Sequence, residues 1–155
     1  MIKWLRSLFT LPEPAGPPQR IRAFTTSDEP ISRDHRTIDG GGWRLDIPQS
    51  QTYRFFDVPV QGLEQCMITY RVQLKAEDLN GRAYLEMWCR LPGRGEFFSR
   101  GLRNSVSGTT SWASYEVSFY LKKGQVPDMI TLNLIVEGKG TVRVKEIELL
   151  QTPLK

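Results

Sequence analysis

From Trp43 onward, apolar residues fall at every second position in one segment after another, the spacing of strands with one buried face. Cys66 to Ala76 sets Ile68, Tyr70, Val72 and Leu74 against Thr69, Arg71, Gln73 and Lys75. Ala83 to Leu91 sets Ala83, Leu85, Met87, Cys89 and Leu91 inward and Tyr84, Glu86, Trp88 and Arg90 outward. The stretch from Gly108 to Leu150 reads as three more such strands. Tyr115, Val117, Phe119 and Leu121 point inward in the first, and Ile130, Leu132, Leu134 and Val136 in the second. The third is entered through Gly138-Lys139-Gly140 and carries Val142, Val144, Ile147 and Leu149, whose parity slips between Val144 and Ile147. That slip predicts a bulge near Lys145-Glu146.

With Trp43 to Ile47, Thr52 to Val58 and the irregular Glu96 to Arg103, the pattern gives about eight strands. Turn signals separate them: Pro48-Gln49-Ser50, Gly62, the Asn-Gly pair in Glu77 to Arg82, Pro92 to Gly95, and Lys122-Lys123-Gly124. No internal segment has helical periodicity, so the expected class is an all-β, two-sheet antiparallel sandwich. Ile21, Ala23 and Phe24 suit a short strand ahead of the pattern.

The N-terminus reads differently. Ile2, Leu5, Leu8 and Phe9 lie at helical spacing with Lys3 and Arg6 off that face, which predicts a short amphipathic helix. The prolines at 12, 14, 17 and 18 end it and favour an extended spacer. The expected organisation is therefore a segment at 1–18 followed by a sandwich domain at 19–155. Residues 1–11 are a candidate for weak membrane-surface contact or for docking on a partner. Their apolar run is too short for a signal peptide core or a bilayer span, which favours a cytoplasmic location.

Composition narrows the chemistry. The chain has 155 residues and a net charge of +4, with no nucleic-acid-binding motif and no dense Lys/Arg block, so no nucleic-acid partner is expected. Cys66 and Cys89 show no CxxC spacing and fall on core-facing positions, as buried thiols do. The single histidine, His35, sits in a charged loop with no second histidine or cysteine nearby, a poor metal ligand and a poor general base. Gly40 to Gly42 make a turn and not a phosphate loop, because no GK[ST] follows. No catalytic residue and no cofactor is expected.

Three stretches resemble a known group. Gly108-Thr109-Thr110-x-Trp112-x-x-Tyr115-Glu116-Val117, the Leu-rich strand at 130–136, and Gly138-x-Gly140-Thr141-Val142-x-Val144-x-x-Ile147-x-Leu149 resemble galactose-binding-domain-like jelly rolls, which include many carbohydrate-binding modules. Tyr70 to Val72 and Ala83 to Trp88 fit two earlier strands of the same pattern, and the resemblance covers about Trp43 to Leu150. Relatives of this pattern often hold a structural calcium near an Asp in the last strand. Here Lys145 and Glu146 stand at that place, so no metal ligand is carried over.

The resemblance implies a jelly roll in which one sheet holds the strands near 52–58, 83–91, 96–103 and 129–137. Its outward face would present Arg54, Tyr84, Glu86, Trp88, Arg90, Asn133 and Glu137 as candidate ligand contacts. Aromatic rings stack on the apolar face of a pyranose, while carboxylate, amide and guanidinium groups bond its hydroxyls. The same residue types also make an ordinary solvated sheet face or a protein-interaction patch. Glu86 and Glu137 could face each other on neighbouring strands, as glycosidase carboxylates do, but nothing in the sequence points to the raised pKa of a general acid. The functional expectation is a non-catalytic, carbohydrate-binding-like module. The alternative is a protein-interaction or regulatory module without a small ligand.

Overall fold

A computed structural model describes residues 11–155. The predicted helix over residues 2–9 and its membrane or partner contact lie outside the described residues. Nine strands follow one another: β1 (Gln19–Phe24), β2 (Arg36–Asp39), β3 (Gly42–Ile47), β4 (Gln51–Pro59), β5 (Cys66–Leu91), β6 (Gly95–Arg100), β7 (Val106–Gly108), β8 (Ala113–Leu121) and β9 (Met129–Pro153). None of the described residues is helical.

Two of these strands are unusually long. β5 has 26 residues and β9 has 25, and they pair antiparallel from Cys66↔Pro153 to Arg90↔Met129. A pair of that length cannot stay flat, because strands twist. It bends where the register breaks between Glu77 and Asn80. Beyond the bend, Gly81 lies opposite Gly138. A Cβ on Gly81 would stand 1.9 Å from the Glu137 carbonyl oxygen, and one on Gly138 would stand 1.9 Å from that of Asn80. Both glycines also have positive φ, 123° and 130°. Here the structure corrects the sequence reading. The Asn-Gly pair in 77–82 and the Gly-Lys-Gly at 138–140 were expected to separate strands. Facing each other, they instead form a corner through which two strands run on without a break.

The corner divides one continuous sheet into two layers. In the first layer, the halves Cys66–Glu77 and Thr141–Pro153 are flanked by β8 on one side and by β1 and the β2–β3 hairpin on the other. In the second, the halves Arg82–Leu91 and Met129–Glu137 are flanked by β6 and β4, with β7 at the corner. The layers pack face to face. The Tyr70 hydroxyl of the first donates to the Asn133 carbonyl of the second at 3.2 Å, and Phe24 stacks on Phe56 with ring centroids 3.9 Å apart. This is the antiparallel two-sheet jelly roll expected from the sequence, and the second layer contains the four strands assigned to one sheet.

Between the layers, the inward residues of β5 and β9 form a continuous apolar core. Ile68, Tyr70, Val72 and Leu74 face Leu85, Met87, Ile130, Leu132 and Leu134, all buried. Each such side chain contributes roughly 1.5–3 kcal/mol by leaving water. Cys66 and Cys89 are free thiols within this core. The predicted bulge is present: Glu146 has φ 54° and sits where the β5–β9 register shifts opposite Arg71 to Gln73. The proline-rich stretch runs beside the C-terminus, with Ala15 N donating to the Pro153 carbonyl at 2.7 Å and Lys155 N to that of Glu13 at 2.9 Å. Among the described residues, no helix is long and apolar enough to cross a membrane.

Candidate functional site

The outward face of the second layer is ordered by register. β6, β5, β9 and β4 lie side by side, so each step of two residues along a strand adds one cross-strand row. One row reads Arg100, Glu86, Asn133, Arg54. The next reads Phe98, Trp88, Thr131, Asp57. Strict alternation would send Asp57 inward, since it follows Arg54 by three positions. A bulge between Arg54 and Phe56 absorbs one residue, buries Phe55 and Phe56 together, and returns Asp57 to the face of Arg54.

Glu86 is the centre of the first row and is almost fully buried, at 3% exposure. A charge so placed needs partners, and it has three. Asn133 Nδ2 and Trp88 Nε1 donate to Oε1 at 2.9 and 2.8 Å, and Arg100 Nε donates to Oε2 at 2.7 Å. Burial pushes the carboxyl pKa up, but the hydrogen bonds from Asn133, Arg100 and Trp88 and the charge of Arg100 outweigh it and leave it below the ordinary glutamate value. Glu86 is therefore an ionised clamp that fixes the indole, the amide and the guanidinium around it.

Next to this clamp, Arg54, Trp88, Glu96, Thr131 and Asn133 line an open groove of about 210 Å³. Phe98, half exposed, extends its aromatic side. The Trp88 and Phe98 ring centroids are 5.1 Å apart with planes at 52°, and the Arg100 guanidinium lies 4.3 Å from the Phe98 centroid. Thr131 Oγ1 donates to Asp57 Oδ1 at 2.8 Å. Among the described residues, Asn133 Oδ1 is the one buried side-chain polar atom without a hydrogen-bond partner.

The seven residues singled out in the sequence all lie on this face, but they do not form one cluster. Arg54, Trp88 and Asn133 line the groove, and Glu86 anchors it from beneath. Arg90 sits one row beyond, paired with Asp128 at 2.8 Å. Tyr84 and Glu137 lie toward the corner. There the Tyr84 hydroxyl donates to Glu137 Oε1 at 2.7 Å, Arg82 pairs with the same carboxylate, and the Tyr84 ring is buried. The bond from Arg82, then that from Tyr84, holds the Glu137 carboxyl below its ordinary pKa. Glu86 and Glu137 thus belong to separate networks, each favouring the carboxylate, and neither has the raised pKa of a general acid.

Phe98, Arg100, Glu96 and Thr131 were not singled out. All four were recoverable. The turn after Leu91 fixes Leu91 opposite Gly95, and counting back pairs Arg90 with Glu96, Trp88 with Phe98 and Glu86 with Arg100. Thr131 follows from Asn133 by the same parity. The opposite face of the molecule has its own features: Lys145 lies 4.2 Å from the Trp112 ring centroid, and Arg71 bridges Glu116 and Glu148. Among the described residues, no three His, Cys, Asp or Glu side chains cluster as metal ligands.

No protein-family model matches the chain, and no curated protein matches it. Solved structures do. A Stig cyclase, Fisc, from Fischerella sp. TAU in complex with an indole derivative is 13% identical, with TM-score 0.54, over 86% of this chain and 75% of that one. The enzymatically active domain of tailspike protein 4 of bacteriophage CBA120 is 10% identical, with TM-score 0.52, over 89% of this chain and 19% of that one. A family 16 carbohydrate-binding module is 12% identical, with TM-score 0.49, over 72% of this chain and 77% of that one. At such identities the likeness is one of architecture, and function has to be argued from the site. The chain shares with them a two-layer antiparallel β-sandwich fold.

Proposed function

We propose that this chain is a non-catalytic binding module that takes a carbohydrate on the outer face of its second layer. The observation that carries the reading is the groove beside Trp88, where an aromatic wall meets a guanidinium, a hydroxyl and a buried amide held in place by Glu86. Sugars need this combination. Their C–H faces stack on rings, and their hydroxyls require donors and acceptors at fixed positions. Because Trp88 and Asn133 are already fixed by Glu86, little side-chain order remains to be lost on binding. The Glu86 and Glu137 carboxylates are held in their ionised form by neighbours, which suits positioning and not proton transfer.

The test is co-sedimentation of the full chain with insoluble polysaccharides, wild type beside Trp88→Ala. Retention of the wild type with loss in the variant is expected. Equal retention of both would move the site elsewhere. A wild-type protein that pulls down a protein partner through Trp88 and no polysaccharide would replace the carbohydrate by a protein.

A further inference from the structure

The groove also says what kind of carbohydrate it takes. Resting on the carbohydrate reading above, we infer that the ligand is an uncharged glycan that places a hydroxyl pair, a vicinal diol, between Asn133 Oδ1 and the Arg54 guanidinium.

The orientation of Asn133 is set by chemistry. Its amide faces Glu86, which as a carboxylate only accepts hydrogen bonds, so the nitrogen must be the end at 2.9 Å. The oxygen is therefore the free end. It is closed to solvent, the residue is only 5% exposed, and no protein group among the described residues bonds it, so a ligand hydroxyl reaches it through a small shift of the side chains that cover it. A buried acceptor without a partner costs about 1–3 kcal/mol, which a ligand recovers by donating to it. Sulfate and carboxylate groups have only acceptor oxygens at neutral pH and cannot do this. A hydroxyl can.

Arg54 supplies the complementary half. It is the cross-strand neighbour of Asn133 on the same face and lines the same groove. Its contact with Asp57 is long, 3.4 Å at Nη2, which leaves the other guanidinium N–H groups for a ligand oxygen. A donor and an acceptor side by side match two adjacent hydroxyls, one of which gives its proton to Oδ1 while the other accepts from Arg54.

Charge points the same way. The cations that border the groove are each matched by a carboxylate: Arg54 by Asp57, Arg90 by Asp128 and Arg100 by Glu86. Glu96 lines the groove and forms no salt bridge among the described residues, its cross-strand neighbour Arg90 being bonded to Asp128. An acidic sugar would meet no surplus positive charge there and one surplus negative charge. The volume of about 210 Å³ lies below the ~300–1,000 Å³ of pockets that engulf a drug-sized ligand, so it holds part of a sugar while the rest lies along the open face.

The test is affinity gel electrophoresis of the full chain at physiological salt. The uncharged probes are xylan, mixed-linkage β-glucan and galactomannan, and the acidic probe is polygalacturonate. Retardation by at least one uncharged probe and not by polygalacturonate is expected. Arg54→Ala and Asn133→Ala should each weaken retardation about tenfold, the size of one well-placed hydrogen bond. Thermal melting shows whether Asn133→Ala is folded, and Arg54→Ala, at an exposed side chain, reads the donor half independently. Retardation by polygalacturonate equal to or above that by the uncharged probes overturns this inference and leaves the carbohydrate reading standing. So does loss of binding in Trp88→Ala with wild-type affinity in both Arg54→Ala and Asn133→Ala. No retardation by any probe overturns the carbohydrate reading itself.

Discussion

Asn133 Nδ2 donates to Glu86 Oε1 at 2.9 Å, and through that bond a buried charge decides which end of a groove-lining amide is left free. The same oxygen also receives the Trp88 indole N–H at 2.8 Å. One carboxylate thus orients both an acceptor and an aromatic wall. Removing it leaves three donors without their partner. Glu86→Ala is expected to destabilise the fold by about 3 kcal/mol, moderated by the part of Arg100 that solvent already reaches. Glu86→Gln, which keeps one acceptor oxygen, is expected to cost less. Urea unfolding of the three proteins at pH 7 reads the difference.

The pH dependence follows from the same group. The Glu86 carboxyl lies below its ordinary value of 4.5 in the folded chain, so folding favours its ionised form. Its contribution is complete above the ordinary glutamate pKa and is lost as pH falls through the lowered folded value. Asp46, held down first by the bond from Thr141, has the same sign. Wild-type protein is therefore expected to lose stability as pH falls below the ordinary carboxylate range, and Glu86→Gln to lose less. Urea midpoints measured across the range check both slopes.

Phe98 offers a variant that separates binding from folding. It stands half exposed on β6, an edge strand of the second layer, with its ring 5.1 Å from that of Trp88. Phe98→Ala is expected to leave stability within about 0.5 kcal/mol, as substitutions at exposed sites usually do. It should weaken glycan binding about tenfold, in line with the loss of a stacking surface. A melting curve and an affinity gel on one preparation suffice.

The core cysteines should be chemically silent. Burial pushes the Cys89 thiol up to about 12 and raises that of Cys66 as well. Since the thiolate is the reactive form, neither is expected to react with Ellman's reagent in the native protein, and both should react in denaturant.

The corner supplies the last variant, and it also marks where sequence reasoning stops. Most strands and their facing were legible because alternation reports burial directly, and even the bulge at Glu146 showed as a slip in parity; sheet membership came from the resemblance, and the short β2 and β7 carry no alternation to read. The long β5 and β9 were not, because Asn80-Gly81 and Gly138-Lys139-Gly140 carry the residues of hairpin turns. Only the pairing of Gly81 with Gly138 shows that these glycines are needed for close backbone approach instead. The candidate site divides the same way. Parity placed Arg54, Trp88 and Asn133 on one face. It could not show that Tyr84 is covered and that Glu86 is buried, because those depend on which neighbours reach across. Gly138→Ala, with positive φ and a carbonyl oxygen 1.9 Å from the new Cβ, is expected to cost about 3 kcal/mol or more. Gly124→Ala, at a turn whose Cβ position is open, is expected to cost less.

The indole signals distinguish the two faces in one spectrum. Trp88 lies in the groove, Trp43 is buried in the core, and Trp112 stands on the opposite layer beneath Lys145. A ¹⁵N-edited NMR titration of the full chain with soluble uncharged gluco-, xylo- and manno-oligosaccharides, with Trp88→Phe to assign the signal, follows all of them at once. The Trp88 indole and the Asn133 side-chain amide are expected to shift together while Trp43 and Trp112 stay in place. Shifts at Trp112 with none at Trp88 and Asn133 would contradict that expectation, as would a spectrum that no oligosaccharide changes.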